Sequence, residues 1–136
     1  MKLLIASSNE GKVAEYRNLL KDLPIEVVSS ADFNLKAPEE TGETLEENAA
    51  LKARAYFVAS GLPTISDDGG FEIDALGGKP GVYGKRWVNG TENVTDEEII
   101  AHTLKQMEGV PKEKRTARMP LAIVYIDPTG KEHVVS

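Results

Sequence analysis

The sequence predicts an α/β protein, and three observations point there. An apolar run, Leu3-Leu4-Ile5-Ala6, opens the chain after Lys2, as a strand buried on both faces requires. An amphipathic helical repeat follows it. A second run, Leu62-Pro63-Thr64-Ile65, leads into two adjacent acids, Asp67 and Asp68, and then a glycine-rich stretch. In open α/β sheets the chain leaves the sheet at such strand ends and opens the crevice where ligands bind. With 136 residues the chain is expected to form one domain, 1–136, large enough for a core but short for a two-lobed enzyme.

Taken in order, residues 2–6 form the first strand. Over residues 11–21, Val13, Tyr16, Leu19 and Leu20 recur at helical spacing between charged residues. Residues 25–29 read as a second strand, and 32–42 as a loop carrying Pro38, Glu39 and Glu40. Thr44 and Glu47 have capping-box spacing, so a second helix starts there. It continues through the Ala-rich residues 48–60 and is ended by Gly61 and Pro63. Ile65 closes a third strand just before the acids, and residues 71–76 fit a short strand or a turn. Thr95 and Glu98 repeat the capping box and begin a helix bearing Ile99, Ile100, Leu104 and Met107, stopped by Gly109 and Pro111. Asp127-Pro128-Thr129-Gly130 lies between residues 118–126 and 132–135, a hairpin signal with Pro and Gly in turn positions. No helix follows the last strand in this sequence, so Val134 and Val135 are expected on an uncovered edge or face.

Composition narrows the function classes. Hydrophobic residues at 40% and charged residues at 28% fit a soluble globular protein. A net charge of −6 argues against wrapping nucleic acid, which needs a basic stripe to displace phosphate counterions. A nucleotide substrate stays open, because a few local cations and a metal suffice for it. No apolar run nears the ~18 residues of a membrane span, and the apolar start is too brief for a signal peptide. The chain is therefore placed in the cytoplasm. The absence of Cys excludes disulfides and thiolate metal sites. A metal must then sit on oxygen or on His102 and His133, which have no partner at ligand spacing and read as surface residues.

Each candidate motif has a plain reading beside the chemical one. Ser7-Ser8-Asn9-Glu10-Gly11-Lys12, between first strand and first helix, offers hydroxyls, an amide, helix-start N–H groups and an ammonium to a polyphosphate. It lacks the spacing and second glycine of a Walker A loop, and Ser8 or Asn9 acting as a simple helix cap would equally explain it. Glu39 and Glu40 can join Asp67 or Asp68 around Mg²⁺, or merely complement a helix N-terminus. Lys52 and Arg54 project from the second helix as most solvated cations do. Asp67 and Asp68 can bind a cation beside a loop that spends six glycines between residues 69 and 84, or form an Asx turn. Arg86 and Trp87 can clamp a phosphate and stack on a base, while a lone Trp more often packs in a core or interface.

Read together, several ordered motifs resemble the inosine triphosphate pyrophosphatase family, also called Ham1-like or non-canonical purine NTP pyrophosphatases. They are Ser7-Ser8-Asn9-Glu10-Gly11-Lys12, Glu39-Glu40-Thr41-Gly42-Glu43-Thr44, Glu47-Asn48-Ala49-Ala50-Leu51-Lys52-Ala53-Arg54, Ser66-Asp67-Asp68-Gly69-Gly70 and Asp74-Ala75-Leu76-Gly77-Gly78-Lys79-Pro80-Gly81-Val82-Tyr83. Arg115-Thr116-Ala117-Arg118 looks like the family's approach to its next strand. The resemblance covers nearly the whole chain. It implies an ITPase-like α/β fold with a mixed twisted sheet flanked by helices, its second lobe truncated here. It also implies Mg²⁺-dependent hydrolysis of dITP, ITP or XTP to the monophosphate and pyrophosphate, usually by a homodimer. By that similarity Asp68 is the general base and a metal ligand, Glu39 the other chief ligand, and Glu40 and Asp67 assistants. Ser7, Ser8, Asn9, Glu10, Gly11, Lys12 and Lys52 would hold the triphosphate, with Gly69 beside the substrate.

The chain departs from the family pattern at three places. Gly69 and Gly84 replace serines common in the family, removing hydroxyl contacts. The family's C-terminal third, with a Phe-Gly-Tyr-Asp-like segment, a Ser-His-Arg segment and a closing helix, lies outside this sequence. The single domain 1–136 is therefore expected to be incomplete at its C-terminus, with the phosphate half of the site present and little selectivity for the base. Two other classes stay open. One is a non-catalytic nucleotide-binding or assembly protein on the same fold. The other is a Maf-type pyrophosphatase, disfavoured because Ser and Arg would be expected in place of Asn9 and Lys12.

Overall fold

The computed structural model describes residues 1–91 and 93–136. In chain order its regular elements are β1 (Lys2–Ile5), α1 (Glu10–Leu19), β2 (Glu26–Ser29), α2 (Leu45–Ser60), β3 (Thr64–Gly69) and β4 (Phe71–Ile73). They continue with β5 (Lys79–Gly81), α3 (Asp96–Gln106), β6 (Ala117–Arg118), β7 (Leu121–Ile126) and β8 (Glu132–Val135). Two compact units result, one of Met1–Asp68 with Ala122–Ser136, the other of Gly69–Leu121.

The first unit is a mixed sheet in the order β2-β1-β3-β7-β8. β1 runs parallel to both β2 and β3, while β7 and β8 are antiparallel. Parallel neighbours need crossover connections, which α1 and α2 supply. Alternation along β1 sorts the core. Leu3 and Ile5 pack with Val13 and Tyr16 of α1, whereas Leu4 and Ala6 pack with Tyr56 of α2. The two helices thus cover opposite faces of the sheet. α2 approaches β7 through Ala49, Ala50 and Ala53, whose small side chains meet Ala122, Val124 and Ile126. The expected Asp127–Gly130 turn closes the β7–β8 hairpin, with Asp127 Oδ1 accepting from Thr129 N and Lys131 N. β8 is one of the sheet's two edge strands, opposite β2, and Val134 and Val135 are exposed on it.

The second unit is an antiparallel sheet in the order β5-β4-β6, accompanied by α3. Its glycines serve a turn: Gly77 and Gly78, at φ 67° and 86°, carry the chain from β4 into β5. Trp87 donates from Nε1 to Thr103 Oγ1 at 3.2 Å and sits edge-on to His102, so it packs on α3.

Several predicted elements differ from the structure in instructive ways. Residues 118–126 are not one strand, because Pro120, which lacks an N–H for the ladder, separates β6 from β7. A 3-10 turn at Ser30–Phe33 begins where the loop was expected, with Asp32 Oδ2 accepting from Ser29 N at 2.8 Å. The largest difference concerns β3, which does not stop at Ile65 but continues through both acids. Among the described residues, no helix is long and apolar enough to cross a membrane.

Candidate active site

The polar turn after β1 is built as a helix cap. Asn9 Oδ1 accepts from Lys12 N at 3.2 Å, Ser7 Oγ accepts from Asn9 N at 3.1 Å, and Ser30 Oγ donates to Ser7 O at 2.9 Å. The capping reading and the ligand reading are therefore compatible. Ser8, Asn9, Glu10 and Gly11 remain exposed around the helix start, and the first N–H groups of a helix have no partner within it. A cleft of about 590 Å³ borders this turn on the β2 side, with Ser7, Ser8, Ser30, Asp32 and Asn34 in its walls.

The acid pair is divided by strand geometry. Successive strand residues face opposite sides, and because β3 runs through both acids, Asp67 points with Ile65 toward α1 while Asp68 points with Ser66 toward α2. The contacts agree. Asp67, 7% exposed, receives the Lys12 ammonium on Oδ1 and the Tyr16 hydroxyl on Oδ2, the latter at 2.8 Å. Ser66 Oγ donates to the Ala49 carbonyl of α2. Asp68 lies 3.6 Å from the Lys52 ammonium of α2. Asp67 and Asp68 therefore meet different partners in this arrangement, Lys12 and Tyr16 on one side and Lys52 on the other.

Lys52 joins the two sides. Its Nζ donates to the main-chain carbonyl of Asp67 at 2.6 Å and lies 3.1 Å from Glu40 Oε1. Burial pushes the Asp68 carboxyl above its ordinary pKa. Lys52 opposes that shift, Glu40 adds to it, and a hydrogen bond with Asn48 also opposes it. For Tyr16, burial first, and then the hydrogen bond and charge of Asp67, raise the phenol far above its usual value, so it remains a donor.

The loop carrying Glu40 is pinned at its far end. The buried Asn48 accepts from Gly42 N at 2.7 Å. Thr44 caps α2 as predicted, accepting from Glu47 N, but Glu47 reaches back to Glu43 N and not to the cap residue itself. Glu39 is exposed on this loop. Gly69 is the exposed last residue of β3.

Among the described residues, no three of His, Asp or Glu gather closely enough to hold a metal ion in this arrangement. The donor chemistry nevertheless fits a hard divalent cation: Glu40 and Asp68 bring two carboxylates to one ammonium, and carboxylate oxygens are the ligands such a cation takes.

Two contributors were not legible as site residues. Tyr16 read only as an apolar helix position, although its i+4 spacing from Lys12 was available as a signal. Asn48 read as part of a motif, with no hint that it would pin the loop at Gly42. Arg54, by contrast, is the surface cation it was read as, paired with Glu132.

A protein-family model described as the Ham1 family matches residues 3–136. A dITP/XTP pyrophosphatase of Photobacterium profundum is 45% identical over 132 residues, covering 94% of this chain and 66% of that protein. A dITP/XTP pyrophosphatase of Symbiobacterium thermophilum is 44% identical over 135 residues, covering 98% of this chain and 65% of that protein. The solved structure of a HAM1 protein from Coxiella burnetii superposes with a TM-score of 0.87 at 34% identity, over 98% of this chain and 68% of that one. The chain thus spans 65–66% of the length of these two curated relatives, just under two thirds.

Proposed function

We propose that this chain, which belongs to the Ham1 family, is the phosphate-handling part of a Mg²⁺-dependent nucleoside triphosphate pyrophosphatase. Its substrates would be non-canonical purine nucleotides, dITP, ITP or XTP, converted to the monophosphate and pyrophosphate. The observation that carries the reading is the Lys52 ammonium, which binds the Asp67 carbonyl and two carboxylates, Glu40 and Asp68. Relatives named dITP/XTP pyrophosphatases support the substrate class.

In this reading the triphosphate lies along the first amides of α1, where the positive end of the helix dipole and Lys12 face its oxygens. Lys52 adds a second ammonium. Asp68, held beside Lys52 and short of solvent, accepts a proton from the attacking water, and burial makes it a better base than a free carboxylate. Water adds across the α–β anhydride: a new P–O bond forms, the bridging P–O bond breaks, and pyrophosphate leaves. Mg²⁺, when bound, would neutralise the phosphate oxygens, with Asp68 and Glu40 as its holders and Glu39 within the same loop. Asp67 is committed to Lys12 and Tyr16 in this arrangement. The side chains gathered at Lys12 and Lys52 address phosphate and not a purine edge, so these 136 residues are proposed to discriminate poorly among bases. By resemblance the whole protein is proposed to work as a homodimer.

Pyrophosphate release from ITP, XTP and ATP, with and without Mg²⁺, tests the reading in wild type and Asp68→Asn. Mg²⁺-dependent release that D68N abolishes is expected. Equal release by both proteins removes Asp68 from its role. Nucleotide binding without release by wild type would favour the non-catalytic reading.

A further inference from the structure

The Tyr16 hydroxyl has no part in the proposed chemistry, yet it contacts the carboxylate that holds Lys12, one of the two ammonium groups proposed to meet phosphate. Lys12 and Tyr16 stand four residues apart on α1, so their side chains share one helix face. Both reach the same carboxylate. The Lys12 ammonium takes Asp67 Oδ1, and Tyr16 O–H donates to Oδ2 at 2.8 Å. The Asp67 main-chain carbonyl is itself held by Lys52 at 2.6 Å. Every oxygen of this buried aspartate therefore has a donor.

We infer that Tyr16 is a positioning residue for triphosphate binding: by holding Asp67 Oδ2 it orients Oδ1 to seat Lys12 beside the phosphate turn, making Asp67 the counter-ion of Lys12 and not a metal ligand. This deepens the proposed function and rests on its placement of triphosphate at the first turn of α1.

The physical argument concerns orientation. A carboxylate held at one oxygen can rotate, and an ammonium on a flexible four-carbon stem follows it. A neutral phenol fixes the carboxylate plane without competing for charge. An incoming triphosphate then meets Lys12 at a defined position, and the ordering that the ligand would otherwise have to impose is already in place. Phenylalanine preserves the packing of the Tyr16 ring against Leu3 and Ile5, so Tyr16→Phe removes the hydrogen bond and little else.

The test is calorimetric titration of the full chain with inorganic tripolyphosphate in metal-free buffer, and separately with Mg²⁺ alone. The wild type is expected to bind tripolyphosphate, and Y16F about tenfold more weakly, the scale of a lost hydrogen bond to a charged group. Tyr56→Phe, which alters a buried tyrosine packed in the α2-side core, is expected to match the wild type. Mg²⁺ affinity should be the same in Y16F and wild type. Equal tripolyphosphate affinity in wild type and Y16F overturns the positioning role while leaving the proposed function standing. Changed Mg²⁺ affinity in Y16F also overturns the inference, because Asp67 would then belong to the metal sphere. A wild type that ignores tripolyphosphate in metal-free buffer overturns the inference, while pyrophosphate release from ITP with Mg²⁺ decides the proposed function separately. Far-ultraviolet dichroism and the thermal midpoint of Y16F separate lost orientation from lost folding, and weak binding that tracks partial unfolding counts against the inference.

Discussion

Lys52 takes the main-chain carbonyl of Asp67, at 2.6 Å, and leaves that residue's carboxylate to another lysine. A cation from α2 thereby fixes the backbone of β3 at the point where its two acids diverge to opposite faces. Both acids depend on this one lysine, Asp67 for its backbone position and Asp68 for its counter-charge.

Lys52→Met tests that dependence. The Lys52 side chain is 14% exposed and its ammonium faces two carboxylates, so its loss leaves partly buried negative charge without compensation. A loss of about 2–3 kcal/mol in stability is expected in metal-free buffer, read from urea denaturation. Added Mg²⁺ should recover part of it. A variant as stable as wild type would show that Glu40 and Asp68 are already satisfied by solvent.

The raised Asp68 pKa sets a pH dependence with a definite sign. A carboxyl that titrates higher in the folded state than in the unfolded one favours folding while both states are protonated. That contribution is lost as pH rises through the folded value. Asp68→Asn should therefore be more stable than wild type in metal-free buffer at neutral pH. The gap should close as pH falls toward the ordinary carboxylate range, as measured by thermal midpoints across pH. A gap that widens on acidification would mean Asp68 is stabilised as the anion.

Gly42→Ala should damage the loop that carries Glu40. A Cβ at this position would sit 2.6 Å from Asn48 Oδ1 and 2.8 Å from Glu47 Cβ, so the Gly42 N–Asn48 hydrogen bond must give way. A cost of about 1–3 kcal/mol is expected, with reduced pyrophosphate release. Full stability together with full activity would show that the loop adjusts without that contact.

Arg54→Ala provides the contrast. Arg54 Nη2 reaches Glu132 Oε2 at 2.8 Å, but the arginine is 61% exposed. Exposed pairs contribute less than about 1 kcal/mol and fade with salt. A small change in denaturation midpoint, vanishing at high ionic strength, and unaltered pyrophosphate release are expected. A large salt-independent loss would assign the pair a structural role at the α2–β8 contact.

Much of the fold was legible along the chain because its signals are local. Thr44, Thr95 and Gly61 mark helix ends through hydrogen bonds and conformations that need only a few neighbouring residues, and all three sit where expected. The hairpin at Asp127–Gly130 is local in the same sense. The extent of β3 was not legible. Asp is unfavourable in strands, yet Asp67 is kept there by Lys12, Tyr16 and Lys52, residues 55, 51 and 15 positions away. Distant partners outweighed a local preference.

By itself, then, the sequence determined most of the order of strands and helices along the chain, the polar turn ahead of α1, and the acids and lysines proposed for the site. Only the tertiary structure decided their partnerships. Alternation along β3 sends Asp67 to one helix and Asp68 to the other, and that assignment depends on how far the strand extends, which long-range contacts set.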